Sequence, residues 1–380
     1  MVRDVSGYLR KKEGDSTTAL ANDWAQLDDL YSKRLWHQLT IKLGEFVKHP
    51  ELQEKGQLIE LYDNFIQDIE MRINPLSLME MLAIIVRQIE DADEAIEFLA
   101  KAEPKLKSSD VAVALCLITK GEVVLGKKKD TKLAKEMMET ADGILTQIDG
   151  VSPAHGRFYL LQSCIFKAIN DTVQYYKSAL KFLGCTKITD LPLDEQRDHA
   201  KHLSVAALVS DGIYNFGELL AHPILNSLEG TKDKWLIELL KTFNAGEIKA
   251  FNNMKRQWQT EPTLLKHAKE LEVKILLLGL MEMTFKRPAT TRQIGFDEIA
   301  QTLGIKEDAV ETFVMKAISK GLVDGTIDEV SRKVHMTWVQ PRVLDRVQIG
   351  NMISRLDDWK KEIRHVEKLM EDSAEEILLI

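Results

Sequence analysis

The stretch "FDEIAQTLGIKEDAVETFVMKAISKGLVDG" (residues 296–325) decides the fold of the carboxyl-terminal part of this 380-residue chain. Its spacing predicts a helix over 297–303, with Phe296, Ile299, Ala300 and Leu303 on one side and a turn at Gly304. A second helix over 307–320 carries Val310, Phe313, Val314, Ala317 and Ile318 at i, i+3, i+4, i+7 and i+8, and Gly321 ends it. "LVDGTID" and "KVHMTWVQ" then read as the two strands of a hairpin. In the second, Val334, Met336 and Trp338 alternate with His335, Thr337 and Val339. With "RQIGF" as a short strand upstream, the whole is a winged helix whose wing is "EVSRK" (329–333).

A winged helix often reads DNA, and charge argues against it here. A reading helix needs Arg, Lys, Asn or Gln on its outer side, with basic residues nearby for the phosphates. The second helix opens on Lys306, Glu307 and Asp308, with Glu311 one turn on. Residues 290–345 hold nine acidic and seven basic side chains, so carboxylates would face phosphates. The net charge of the chain, −8, points the same way, and disfavours an anionic membrane surface as well. The winged helix is expected to bind protein.

Upstream, from about residue 20 to 285, the pattern is helical almost throughout. Most of the nine prolines sit at turns, as at Asn74-Pro75, Ser152-Pro153, Leu191-Pro192, His222-Pro223 and Glu261-Pro262. Residues 155–169 and 172–184 pair as a helical hairpin across "ND". The second helix shows Val173, Tyr176, Leu180 and Leu183 on one face, with Gly184 as its left-handed terminator. Residues 91–107 and 108–126 form further members. No strict repeat period is present, so an irregular stack of helix pairs is expected, a solenoid with a long exposed surface. The expected fold class is mostly α. Its parts are a flexible segment 1–20, a helical-repeat stack 21–285, a winged helix 286–345 and a long helix 346–380.

That last helix carries Ile349, Met352, Leu356, Trp359, Ile363, Val366, Met370 and Ile377. The intervals of three and four, with Ser373 filling the one gap, make a heptad stripe among Arg, Lys, Asp and Glu. Burying eight such side chains is worth roughly 1.5–3 kcal/mol each, while fixing backbone costs about 1–2 kcal/mol per residue. A lone helix in water loses that contest, and one packed among others can win it. Either the stripe folds back on its own domain or it joins a bundle with other chains. A length of about 50 Å, at 1.5 Å per residue, exceeds the winged-helix unit and points to the bundle.

Little in the chain suggests chemistry. "GEVVLGKK" (121–128) matches the front of a phosphate-binding loop, but Lys128 stands where Ser or Thr should hold magnesium, and the context is helical. Lys120, Lys127, Lys128, Lys129, Lys132 and Lys135 cluster without interleaved aromatics, as a solvated loop does. His199 and His202 lie within one turn, beside Asp198, with no third ligand at a fitting spacing. Cys116, Cys164 and Cys185 lie far apart, form no CxxC pair and suggest a reducing compartment. Cys116, between Leu115 and Leu117, has the setting of an inert buried thiol. The first twenty residues lack a signal-peptide core, and "ILLLGLMEM" (275–283) is too short to span a bilayer. No catalytic residue, cofactor or metal site is expected.

The order of parts resembles that of PCI-domain proteins, scaffold subunits of the proteasome lid, the signalosome and a translation initiation factor complex. Several stretches are similar to the proteasome-lid branch in particular. They are "LYSKRLWHQLT" (30–40), "INPLSLMEM" (73–81), "YYKSALKFLGC" (175–185), "YNFGELLAHPIL" (214–225), "LMEMTFKRPA" (280–289), "TIDEV" (326–330) and "KVHMTWVQPRVLD" (333–345). The resemblance implies a non-catalytic scaffold of the regulatory-particle lid, acting in ubiquitin-dependent degradation in cytoplasm and nucleus. A place in the signalosome or the initiation factor complex is the alternative, and a winged-helix nucleic-acid binder a more remote one. Its partners would be other PCI and lid subunits in a hetero-oligomer, with no nucleic acid, membrane or small-molecule substrate. Two contact sets follow from the resemblance: Val334, His335, Met336, Thr337 and Trp338 of the hairpin, and the heptad residues of the last helix.

Overall fold

Polar caps and apolar stripes set out the helices of the amino-terminal half. A computed structural model describes residues 5–15, 18–52, 56–287, 291–343 and 346–378. The chain divides into two compact units between Asp190 and Leu191. The first holds α1 (Val5–Asp15), α2 (Thr18–Ser32), α3 (Trp36–Phe46), α4 (Pro75–Ile85), α5 (Ala92–Leu106), α6 (Asp110–Val123), α7 (Thr131–Leu145), α8 (Pro153–Ile169) and α9 (Thr172–Cys185). Side chains of Asn74, Asp91, Ser109, Asp130 and Asp171 accept hydrogen bonds from first-turn amides of the helices that follow them. Each such cap is worth about 1 kcal/mol.

The hairpin across "ND" forms as the sequence suggests. Asn170 ends α8 in the left-handed region, at φ 63°, and Asp171 caps α9. Gly184 is a correction: it is helical, α9 runs on to Cys185, and extended Thr186 ends it. In the middle of this unit α6 packs on α5, α7 and α8. A Cβ at Gly121 would lie 2.8 Å from a Leu161 methyl, so glycine is what lets α6 and α8 approach.

The second unit contains α10 (Leu193–Val209), α11 (Trp235–Ala245) and α12 (Ala268–Lys286), with shorter helical turns between them. Its aromatic core places Phe251 edge-on to Phe243 at 5.3 Å and stacked on Trp258 at 5.2 Å. Gly246 ends α11 at φ +64° and approaches the backbone of Gly279, so two helices meet without side chains between them. Lys274 of α12 is buried, and its ammonium donates to the carbonyls of Ala207, Leu208 and Ser210 at 2.8, 3.0 and 2.8 Å. One lysine thereby satisfies carbonyls that the end of α10 leaves without helical partners.

The winged helix follows as β1 (Gln293–Gly295), α13 (Phe296–Leu303), α14 (Val310–Ser319), β2 (Val323–Asp328) and β3 (Lys333–Val339), then α15 (Arg346–Leu378). Its sheet is antiparallel with the order β1-β3-β2. The mostly α class expected from the sequence is the class observed.

Candidate subunit interface

Strand β3 is the central strand of the sheet, hydrogen-bonded on both sides. Val334 and Met336 point into the winged-helix core, each nearly inaccessible to solvent. These two are therefore removed from the expected contact set, because their side chains hold the domain together. His335, Thr337 and Trp338 face outward. The edges open to a further strand belong to β1 and β2, not to the strand the sequence singled out.

In sequence Trp338 keeps the alternation of Val334 and Met336, yet unlike them it is 44% exposed. The cause is a bulge. Asp324 pairs with Trp338 and Gly325 with Met336, so Thr337 is an extra residue on β3 and the alternation is broken there. Glycine at 325 is obligatory, since a Cβ would lie 2.3 Å from the His335 carbonyl oxygen. At the tip of the wing Val330 is 97% exposed, an apolar side chain at the most prominent point of the turn. Arg332, the wing's arginine, is paired with Glu307 at 2.8 Å.

The segment leaving β3 is strapped down before the last helix begins. Arg342 forms an ion pair with Glu282 of α12, both side chains close to buried, and donates to the Asn244 carbonyl at 3.0 Å. Val343 sits on Gly217, where a Cβ would come within 2.4 Å of the valine Cβ. The Asn215 side-chain oxygen accepts from the amides of both Gly217, at 3.1 Å, and Val343, at 3.4 Å.

Beyond the strap, α15 is 33 residues long. Every side chain from Ile349 to Glu371 is exposed. The stripe includes Ile349, Met352, Leu356, Trp359, Ile363, Val366 and Met370, and Trp359 alone is 62% exposed. Ile353 and Leu369 widen it. The side chain of Ile377 lies outside the described residues. Over this span the stripe does not fold back on its own domain.

Comparison with known proteins identifies the lineage. Residues 23–240 match the family model of PSD13 N-terminal repeats, and residues 242–338 match the PCI domain. The chain is 33% identical to the 26S proteasome non-ATPase regulatory subunit 13 of Dictyostelium discoideum, over 98% of its own length and 97% of the relative. It is 35% identical to homolog A of that subunit in Arabidopsis thaliana, over 88% and 89% of the two chains. It is 32% identical to the probable 26S proteasome regulatory subunit rpn9 of Schizosaccharomyces pombe, over 99% and 98%. The chain belongs to the 26S proteasome non-ATPase regulatory subunit 13 family.

The PCI match in this family member starts upstream of the winged helix and takes in α12. The strap joins three of the stretches that carry the family resemblance. Gly217 comes from 214–225, Glu282 from 280–289, and Arg342 and Val343 from 333–345. None of these four was a candidate site residue from sequence, and their convergence is the signal that could have found them. The other motifs resolve differently. Residues 121–128 are the end of α6 and a π turn. In the lysine cluster, Lys120 is buried and paired with Glu103 at 2.5 Å, Lys127 donates to the Ile89 carbonyl, and Lys128 pairs with Asp93. Burial pushes the Cys116 thiol up to about 11, the setting of an inert thiol. Among the described residues no group of three His, Cys, Asp or Glu could hold a metal, and His199 and His202 lie on α10. No described helix is long and apolar enough to cross a membrane.

Proposed function

We propose that this chain is a non-catalytic scaffold of the proteasome regulatory-particle lid, supporting its assembly and hence the degradation of ubiquitinated proteins in cytoplasm and nucleus. The observation that carries the reading is the apolar stripe of α15, exposed along the helix. Each half-exposed side chain gains roughly 1 kcal/mol when covered. Association costs about 4–15 kcal/mol, so covering by several helices at once is what makes the contact stable. Other PCI and lid subunits are the partners of this bundle, and His335, Thr337 and Trp338 of β3, with the open edges of β1 and β2, supply a second contact.

Full-length relatives that share these two matched regions bear the name of a non-ATPase regulatory subunit, which supports a role without catalysis. Purification of the tagged chain from its own cells, followed by mass spectrometry, tests the reading. Lid subunits in stoichiometric amounts are expected, and recovery of the chain alone contradicts it.

A further inference from the structure

The heptad stripe of α15 is bordered on each side by one residue per heptad, the places that flank a seam between helices. In chain order they are Ile353, Arg355, Lys360, Glu362, Glu367 and Leu369. All six side chains are exposed. The margin is apolar at its two ends, basic at Arg355 and Lys360, and acidic at Glu362 and Glu367. An ion pair within the helix, Lys361 with Asp358 at 3.0 Å, lies away from the seam. Among the described residues Arg355, Lys360, Glu362 and Glu367 have no ion-pair partner. These four charges are therefore open to whatever covers the stripe.

On an apolar seam the margins choose the partner, because like charges brought together repel and opposite ones attract. A parallel copy of α15 fails on this ground. Arg355 would meet Lys360 of the copy and Glu362 would meet Glu367, and each mismatch occurs twice by symmetry. An antiparallel copy centred on Lys361, which shares the whole stripe, sets Lys360 against Lys360 and Glu362 against Glu362. A helix with the order reversed, acidic and then basic, turns each of these contacts into an attraction. One exposed pair is weak. Four that change sign together set a preference of about tenfold or more.

We infer, resting on the scaffold role proposed above, that α15 is covered by a helix of a different chain with an apolar heptad stripe of its own, which places carboxylates beside Arg355 and Lys360 and lysines or arginines beside Glu362 and Glu367. The order of charge along the margin tells that partner from a second copy.

Two fluorescent peptides, titrated with the full-length chain and followed by anisotropy, test this. One has the sequence of residues 346–378. The other has the same sequence with Arg355→Glu, Lys360→Glu, Glu362→Lys and Glu367→Lys. The second is expected to bind about tenfold or more tighter than the first at low salt, and the gap to close at about 1 M salt. The same four substitutions in the full-length chain, all at exposed positions, should reverse the preference, which a misfolded chain could not do. Equal binding of the two peptides, tighter binding of the first to the parent chain, or no binding of either overturns the inference. So does a preference that high salt leaves unchanged. These titrations contain no lid subunit. If they fail while lid subunits still co-purify, only the partner's charge order is wrong; if co-purification fails while the preference holds, only the scaffold role is.

Discussion

At the scale of single residues, two ion pairs of the second unit differ in burial, and so in what their loss should do. Arg342 and Glu282 are nearly buried together, so removing one leaves the other charged without its partner. Arg342→Met is expected to cost about 3–5 kcal/mol in chemical denaturation. Adding Glu282→Met should restore most of that loss, because the orphaned charge is gone. A double variant as unstable as the single one would show that the guanidinium's bond to Asn244 matters more than the pair. The Asp211–Lys320 pair has a pH signature. Hydrogen bonding from Lys320 holds the Asp211 carboxyl below its ordinary range. A carboxyl with a depressed folded pKa contributes stability above its unfolded pKa, about 3.9, and loses it as pH falls through the folded value. Asp211→Asn should therefore lower the melting temperature more at neutral pH than at about pH 3, below the unfolded pKa, where part of that contribution is already lost. An equal deficit at both pH values would mean that packing, not charge, is lost. Asp211 is largely exposed, so the effect at neutral pH is expected to be small.

At the scale of elements, β3 and α15 divide the contact surface between core and exterior. Met336→Asp places a charge in the winged-helix core and should unfold that domain, seen as lost thermal cooperativity in the isolated chain. Trp338→Asp should leave the isolated chain folded and weaken only its recovery with partners. Equal loss of folding from both would put Trp338 in the core after all. In α15, Leu356→Asp with Ile363→Asp should block co-purification with lid subunits while the melting temperature of the chain stays as it was. Unchanged recovery would show that the stripe does not face other chains. The winged helix and α15 were legible in the sequence because the apolar period changes sharply, from helical to alternating and then to a heptad. Ile353 and Leu369 escaped that reading because they flank the two heptad positions. The outward turn of Trp338 was hidden because a one-residue bulge leaves no trace in an alternation. The Arg342–Glu282 and Lys274 contacts were hidden for another reason: partners about 60 residues apart leave no local pattern.

At the scale of the molecule, one long helix leaves a continuous apolar stripe to solvent. Such a stripe is tolerable in a chain that does not stay alone, since exposed apolar patches mark contact sites or aggregation. The central claim is that α15 is covered by other chains. Hydrogen exchange over residues 346–378, compared between the isolated chain and native proteasome, tests it most directly. Fast exchange in the isolated chain and strong protection in the assembly are predicted. Protection already complete in the isolated chain, or absent in both, would contradict the account.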